Sequence, residues 1–267
     1  MIVHKALTIA GSDSGAGAGI QADLKTFAAL GVYGTSVITA VTAQNTRGVT
    51  QILGIPPDLI AAQIDAVIDD IGAQAFKTGM MADTAIIKVV AAKIQTHRLS
   101  NLVVDPVMVA KGGDLLLRPE AIDALRDYLI PVATIVTPNL PEAQQLTGIQ
   151  GAGKRDIKEA ARRIVAMGAG SVLIKGGHRK GPATDIFYDG KGFREFSARR
   201  ISTPHTHGTG CTLSAAITAG LAKGRKIEQA VLQAKGYITR AIRKGFPIGS
   251  GHSPVHHFHF FWDKNDS

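Results

Sequence analysis

The stretch 205–214 reads HTHGTGCTLS and holds Cys211, the only cysteine among 267 residues. Gly208, Thr209 and Gly210 lead directly into an apolar run, TLSAAITAGLA, with helical spacing. A helix that starts there presents unpaired backbone N–H groups and the positive end of its dipole, a ready seat for an anion. A thiol at such a place has its pKa depressed to about 3.5–7.5, which makes Cys211 a usable base. The competing reading is a small buried residue at a helix start, the commonest fate of a free cysteine.

Other residues with chemical potential also follow short β-branched runs. TPNLPE places Asn139 and Glu142 past one such run, at the start of a helix. Asn139 is either an N-cap or, with Glu142, an anchor for waters on a magnesium ion, a hard cation that keeps several waters. Asp105 closes LVVDP and is a second carboxylate near metal or phosphate; Lys175 closes SVLIK and brings an ammonium, unless it only caps its strand. The loop GSDSGAGAGIQAD enters a helix in which Asp23 either accepts a hydrogen bond from a ligand or only complements the dipole. Its glycines, at 15, 17 and 19, do not make G-x-G-x-x-G. Gly148 to Lys154 matches G-x-x-x-x-G-K, but Arg155 stands where a phosphate loop needs Ser or Thr, and no strand precedes it. The C-terminal His252, His256, His257 and His259 lack a second ligand cluster at fixed spacing, which favours packing over metal binding.

Positioning these groups requires alternating strands and helices. Strand candidates are 6–10, 35–41, 75–78, 102–105, 135–137 and 172–175, separated by helical periodicity at about 20–30, 58–71, 84–97, 119–129 and 157–167. Residues 184–203 read as a hairpin around Asp189-Gly190, and helices follow at about 210–222 and 227–243. The pattern predicts βαβ units, hence a mainly parallel sheet covered on both faces, in one domain spanning 1–267. Ligands of such sheets bind at the carboxyl ends of the strands, where these polar residues and glycines gather.

The formal charge is +9, but basic residues are scattered and aromatics, at 5%, do not interleave with them, so no nucleic-acid partner is expected. No apolar run approaches the roughly 18–20 residues of a membrane span. The short apolar run before Gly11 is no signal peptide, and one cysteine excludes an internal disulfide. A soluble, cytoplasmic protein is expected.

Taken together, LTIAGSDSGAGAGIQADLKTFAALGVYG, VITAVTAQNTRGV, KTGMM, VVDPVM, TPNLPEA, IKGGH, THGTGCTLSAA and PVHHFH resemble the hydroxymethylpyrimidine kinase / phosphomethylpyrimidine kinase family of thiamine biosynthesis, within the ribokinase superfamily. The resemblance spans nearly the whole chain. It implies a ribokinase-like three-layer sandwich, ATP and Mg2+ as cofactors, and a small-molecule pyrimidine phosphorylated twice. It further implies that Gln44 hydrogen-bonds the aminopyrimidine ring and that Asp23, Gly11, Ala18, Met80 and Val107 line that pocket. By the same resemblance Asn139 and Glu142 serve magnesium, and Lys175, with Asp105, serves the nucleotide phosphates. Gly208, Thr209, Gly210 and Cys211 form the catalytic group, and a homo-oligomer, a dimer, is expected. Cys211 in place of the aspartate of most ribokinase relatives points to the pyrimidine kinases. Ala16 and Ser253 depart from the family, each replacing a glycine. The nearest alternatives are a pyridoxal-type kinase of the same superfamily and a binding protein without turnover.

Overall fold

The computed structural model describes residues 2–110, 112–178 and 181–262. Its centre is a nine-stranded sheet in the order β3-β2-β1-β4-β5-β6-β7-β8-β9. The strands are β1 (Lys5–Asp13), β2 (Tyr33–Gln44), β3 (Val49–Gly54), β4 (Ala75–Thr78), β5 (Leu102–Val104), β6 (Ile135–Val136), β7 (Val172–Ile174), β8 (Ala183–Tyr188) and β9 (Phe193–Ala198). Six neighbouring strands, β2, β1, β4, β5, β6 and β7, run parallel. β3 at one edge and the β8–β9 hairpin at the other are antiparallel.

The helices are α1 (Gly19–Ala29), α2 (Pro57–Asp70), α3 (Thr84–Thr96), the single turn α4 (Ile122–Ala124), α5 (Leu140–Thr147), α6 (Lys154–Ala166), α7 (Thr209–Ala222) and α8 (Ile227–Arg243). Buried side chains alternate between two cores, as strands covered on both faces require. Leu7, Ile9, Val104 and Val136 pack with α2, α3, α5 and α6, while Ala6, Val103, Ile135 and Leu173 pack with α1, α7 and α8. The result is the expected three-layer sandwich. Among the described residues no helix is long and apolar enough to cross a membrane.

Three details differ from the sequence expectation. β3 is an additional strand; it is mostly exposed and lies at the edge, so it has little apolar alternation to announce it. The helix expected at 119–129 is a chain of short 3-10, α and π turns over 119–132. Pro131 has no N–H to continue a regular ladder there. The hairpin ends at Ala198, with Asp189 Oδ1 accepting from the N–H groups of Lys191 and Gly192 at 2.9 and 2.8 Å.

Chain order reverses between β1 and β4. After β2 and β3 lie on one side of β1, α2 carries the chain to β4 on the other. The carboxyl ends at that reversal, Asp13 and Thr78, therefore flank the crevice in which ligands of open parallel sheets bind.

The placement of α7 between sheet and α8 predicts unequal sensitivity. Ile217→Ala, fully buried in α7, costs about 2–5 kcal/mol. Leu232→Ala, 63% exposed on α8, stays within about 0.5 kcal/mol. Urea unfolding of both variants checks the difference.

Candidate active site

The first wall of the crevice is a glycine loop held by one carboxylate. Asp13 Oδ1 accepts from Gly15 N–H at 2.8 Å, and Oδ2 accepts from Gly17 and Ala18 at 3.1 and 2.8 Å. His207 Nε2 lies 2.9 Å from the same Oδ2. Burial would raise the Asp13 pKa, but His207 and the loop N–H groups outweigh it and hold the carboxyl below its usual value.

The second wall is the start of α7. Gly208 sits at φ +74°, and a Cβ there would stand 1.8 Å from the Gly17 carbonyl oxygen. Only glycine permits this approach. It sets the first turn of α7, with Cys211, against the β1–α1 loop. The expected depression of the thiol pKa is not found. Burial pushes Cys211 up to about 11; Lys77 opposes the rise, the carboxylates of Asp23 and Asp105 add to it, and Gly19 N–H opposes it. Desolvation and two carboxylates outweigh the helix terminus.

A third group closes the other end of the cleft. Lys175 Nζ stands 2.9 Å from Asp105 Oδ1 and 3.8 Å from Glu142 Oε2. Ser214 donates to Asp105 Oδ2 at 3.0 Å, so both Asp105 oxygens are engaged. Burial alone would lower the Lys175 pKa, but its two carboxylate neighbours hold it above the ordinary value. Glu142 moves the other way: burial and the Asp105 charge push its carboxyl up to about 7 against the pull of Lys175 and the Asn139 N–H. A Cβ at Gly210 would lie 3.3 Å from Lys175 Nζ, which puts the ammonium beside G-T-G.

Asn139 is the N-cap of α5. Its side chain accepts from Glu142 N–H at 2.9 Å, and Glu142 Oε2 accepts from Asn139 N–H at 2.6 Å, a reciprocal capping box. Capping and the cleft coincide, since both residues also line it.

Between these walls lies a cleft of about 650 Å³. Gly11, Ala18, Gln44, Met80, Val107, Asp105, Asn139, Glu142, Lys175, Gly208, Thr209, Gly210 and Cys211 all border it. Asp23 does not. Its carboxylate is fully buried beneath the floor, accepting from Thr8 Oγ1 at 2.6 Å and Lys77 Nζ at 2.7 Å, so the expectation that it faces a ligand is corrected. At the Gln44 end, the Thr42 hydroxyl lies 3.1 Å from Gln44 Oε1 and His207 Nε2 lies 3.5 Å from Gln44 Nε2.

Sequence reading passes over Asp13, His207 and Lys77, which also border the cleft. The signal for His207 is its place directly before G-T-G. For Lys77 it is a charge inside AFKT, a strand whose four residues are all buried. The phosphate-loop look-alike is elsewhere: Gly148 ends α5, Gly153 begins α6, and neither borders the cleft. His256, His257 and His259 are buried, and His257 Nε2 is 3.0 Å from Thr212 Oγ1. Burial drives the His257 pKa down to about 3, so the ring is neutral.

The model of the phosphomethylpyrimidine kinase family matches residues 13–256. The chain belongs to this family. It is 53% identical over 261 residues to the hydroxymethylpyrimidine/phosphomethylpyrimidine kinase of Rhizobium meliloti, covering 96% of this chain and 98% of that one. It is 52% identical to the thiamine biosynthesis bifunctional protein ThiED of Geobacter sulfurreducens, covering 94% of this chain but spanning only 51% of that longer protein. Among solved structures, an ADP complex of Bacillus subtilis pyridoxal kinase superposes with a TM-score of 0.91 at 45% identity, covering 98% of this chain and 100% of that one. The family thus includes a two-unit protein in which a chain like this one makes up about half.

The capping box yields a stability prediction separable from activity. Asn139→Ala costs about 1 kcal/mol, while Asn139→Ser, which retains a capping oxygen, loses less than half of that. Urea midpoints of the two variants without ligand check it.

Proposed function

We propose that the protein transfers the γ-phosphoryl group of ATP to 4-amino-5-hydroxymethyl-2-methylpyrimidine and then phosphorylates the monophosphate to the diphosphate, for thiamine biosynthesis. The observation that carries this reading is the position of Cys211. It stands in the first turn of α7 and borders the same cleft as Gly11, Gln44 and Met80 on the one hand and Asp105, Glu142 and Lys175 on the other. The ring lies by the first group, with Gln44 on its polar edge. The phosphates lie by the second, and the hydroxymethyl oxygen meets the γ-phosphorus beside the sulfur.

As the alcohol oxygen bonds to phosphorus, the bond to the ADP oxygen breaks and the hydroxymethyl proton passes to Cys211 in its thiolate form, which the thiol first reaches by losing its proton to solvent. N–H groups of Gly208 to Cys211 hold the transferring phosphoryl, and Lys175 spreads its charge. Asp105 acts through Lys175, which it keeps in place. Loose transfer of this kind needs positioning more than a strong nucleophile. No covalent enzyme intermediate is required.

ATP enters as its magnesium complex. Asp105 and Glu142 share one lysine, and the Glu142 carboxyl, pushed up to about 7, has less positive charge beside it than its burial calls for. A divalent cation held through Asn139 and Glu142 fits that deficit. Among the described residues no cluster of three acidic, histidine or cysteine side chains is placed to cage a metal. Asn139 and Glu142 would hold the ion, which would supply charge neutralisation on the phosphates.

A second substrate is favoured by one finding, the likeness to a pyridoxal kinase. Pyridoxal also presents a hydroxymethyl group on a flat heteroaromatic ring. ADP release with hydroxymethylpyrimidine, its monophosphate and pyridoxal in parallel tests both readings. Turnover of both pyrimidines supports the proposal. Turnover of pyridoxal alone overturns it and assigns the cleft to that substrate, while no ADP with any acceptor leaves a binding protein.

The proton balance separates the two steps. An alcohol must lose its proton, but a phosphate monoester, with a second pKa near 6, is already an anion at pH 7. Cys211→Ala slows the alcohol step by roughly 10²–10⁴ and the monophosphate step far less. With the thiol near 11, the thiolate fraction rises tenfold per pH unit below it. The ratio of alcohol to monophosphate kcat/KM therefore climbs from pH 7 to 9 in the natural protein and is flat in Cys211→Ala.

A further inference from the structure

An ion pair lies beneath the cleft floor, and the reaction above assigns it no part. Lys77 of β4 and Asp23 of α1 are both fully buried, 2.7 Å apart. Thr8 donates to the same Asp23 oxygen at 2.6 Å, and Asp23 Oδ1 has no hydrogen-bond partner among the described residues. Burying two charges so is a poor source of stability, because their desolvation offsets their attraction. An incompletely satisfied carboxylate makes it poorer still.

The lysine also reaches the site. It borders the cleft, and a Cβ at Gly79 would stand 3.1 Å from its Nζ. Four charged groups face Cys211 from the elements packed around it: Asp23 from α1, Lys77 from β4, Asp105 after β5 and Lys175 after β7. Gly19 N–H, also from α1, adds a dipole. Lys175 is already divided between Asp105 and Glu142. Lys77 has Asp23 as its one ion-pair partner among the described residues, and its charge is the largest influence that favours the thiolate.

We propose that Lys77 is the counter-ion that allows Cys211 to ionise, and that Asp23 holds the ammonium below the sulfur while limiting how much of its charge the sulfur receives. Lys77 is a positioning residue, acting on the reaction through Cys211. When the sulfur loses its proton, the ammonium lies between two anions instead of one. Its catalytic consequence rests on Cys211 being the proton acceptor; the ionisation itself does not.

The two members of the pair thus push the thiol in opposite directions. Cys211 is the only cysteine, so iodoacetamide alkylation reports this one sulfur in the intact protein. At pH 8, well below the thiol pKa, alkylation follows the thiolate fraction. A neighbouring charge is worth about one to three pH units. Lys77→Met then slows alkylation about tenfold or more, Asp23→Asn speeds it about tenfold or more, and the double variant falls between. If Lys77→Met does not fold, Asp23→Asn and the charge-free double variant carry the comparison. Changes of the same sign in both single variants, or no change in Asp23→Asn, overturn the proposal. The ratio of alcohol to monophosphate turnover moves with alkylation. Opposite alkylation shifts with an unmoved ratio uphold Lys77 as counter-ion but overturn Cys211 as the proton acceptor.

Discussion

Two backbones meet at the site with no room for a side chain between them: a Cβ on Gly208 would stand 1.8 Å from the Gly17 carbonyl oxygen. That contact joins the loop after β1 to the first turn of α7, and the cleft depends on it. Asp13 secures the loop side through three backbone N–H groups, and His207 links Asp13 to the α7 side. The switch in strand order between β1 and β4 opens the crevice into which both project. Thus the sheet topology provides the place, and the glycine contact brings the thiol to its centre.

Charge is distributed unevenly along the cleft. One end carries Lys175 between two carboxylates, a partly neutralised cluster suited to a polyanion bringing its own cation. Near the thiol, Lys77 and Asp23 are fully buried as an ion pair and act on the sulfur in opposite directions, Lys77 the more strongly. On the proposed function, the contrast matches what each group of residues would bind. Phosphates would call for the positive charge of Lys175, and a neutral heteroaromatic ring for shape and the Gln44 amide. Cys211 borders the same cleft, and its ionisation is set by burial, Lys77 and the carboxylates of Asp23 and Asp105.

How much of this was legible in the sequence depended on the range of the interactions involved. The strand exits at Asp105, Asn139 and Lys175 and the helix start at Gly208 were readable because glycine and polar residues interrupt apolar runs locally. Asn139 was readable as a cap, because its partner Glu142 is three residues away. Asp23 was misplaced because Lys77, which decides its orientation, is distant in sequence and pairs with it only through the β1–β4 neighbourhood. The sign of the Cys211 shift was missed for the same reason. A helix start is visible in G-T-G-C, but the burial and the carboxylates that outweigh it come from α1 and β5. β3 escaped notice because an exposed edge strand carries little of the alternation by which strands are recognised.

The most direct test of the account is a crystal structure with ADP, magnesium, an aluminium fluoride mimic of the transferring phosphoryl group, and hydroxymethylpyrimidine. The account predicts the mimic on the N–H groups of Gly208 to Cys211, with Lys175 beside it, the ring against Gln44, and the hydroxymethyl oxygen within hydrogen-bond reach of the Cys211 sulfur. A mimic bound away from the start of α7, or a hydroxymethyl group turned from the sulfur, would contradict it.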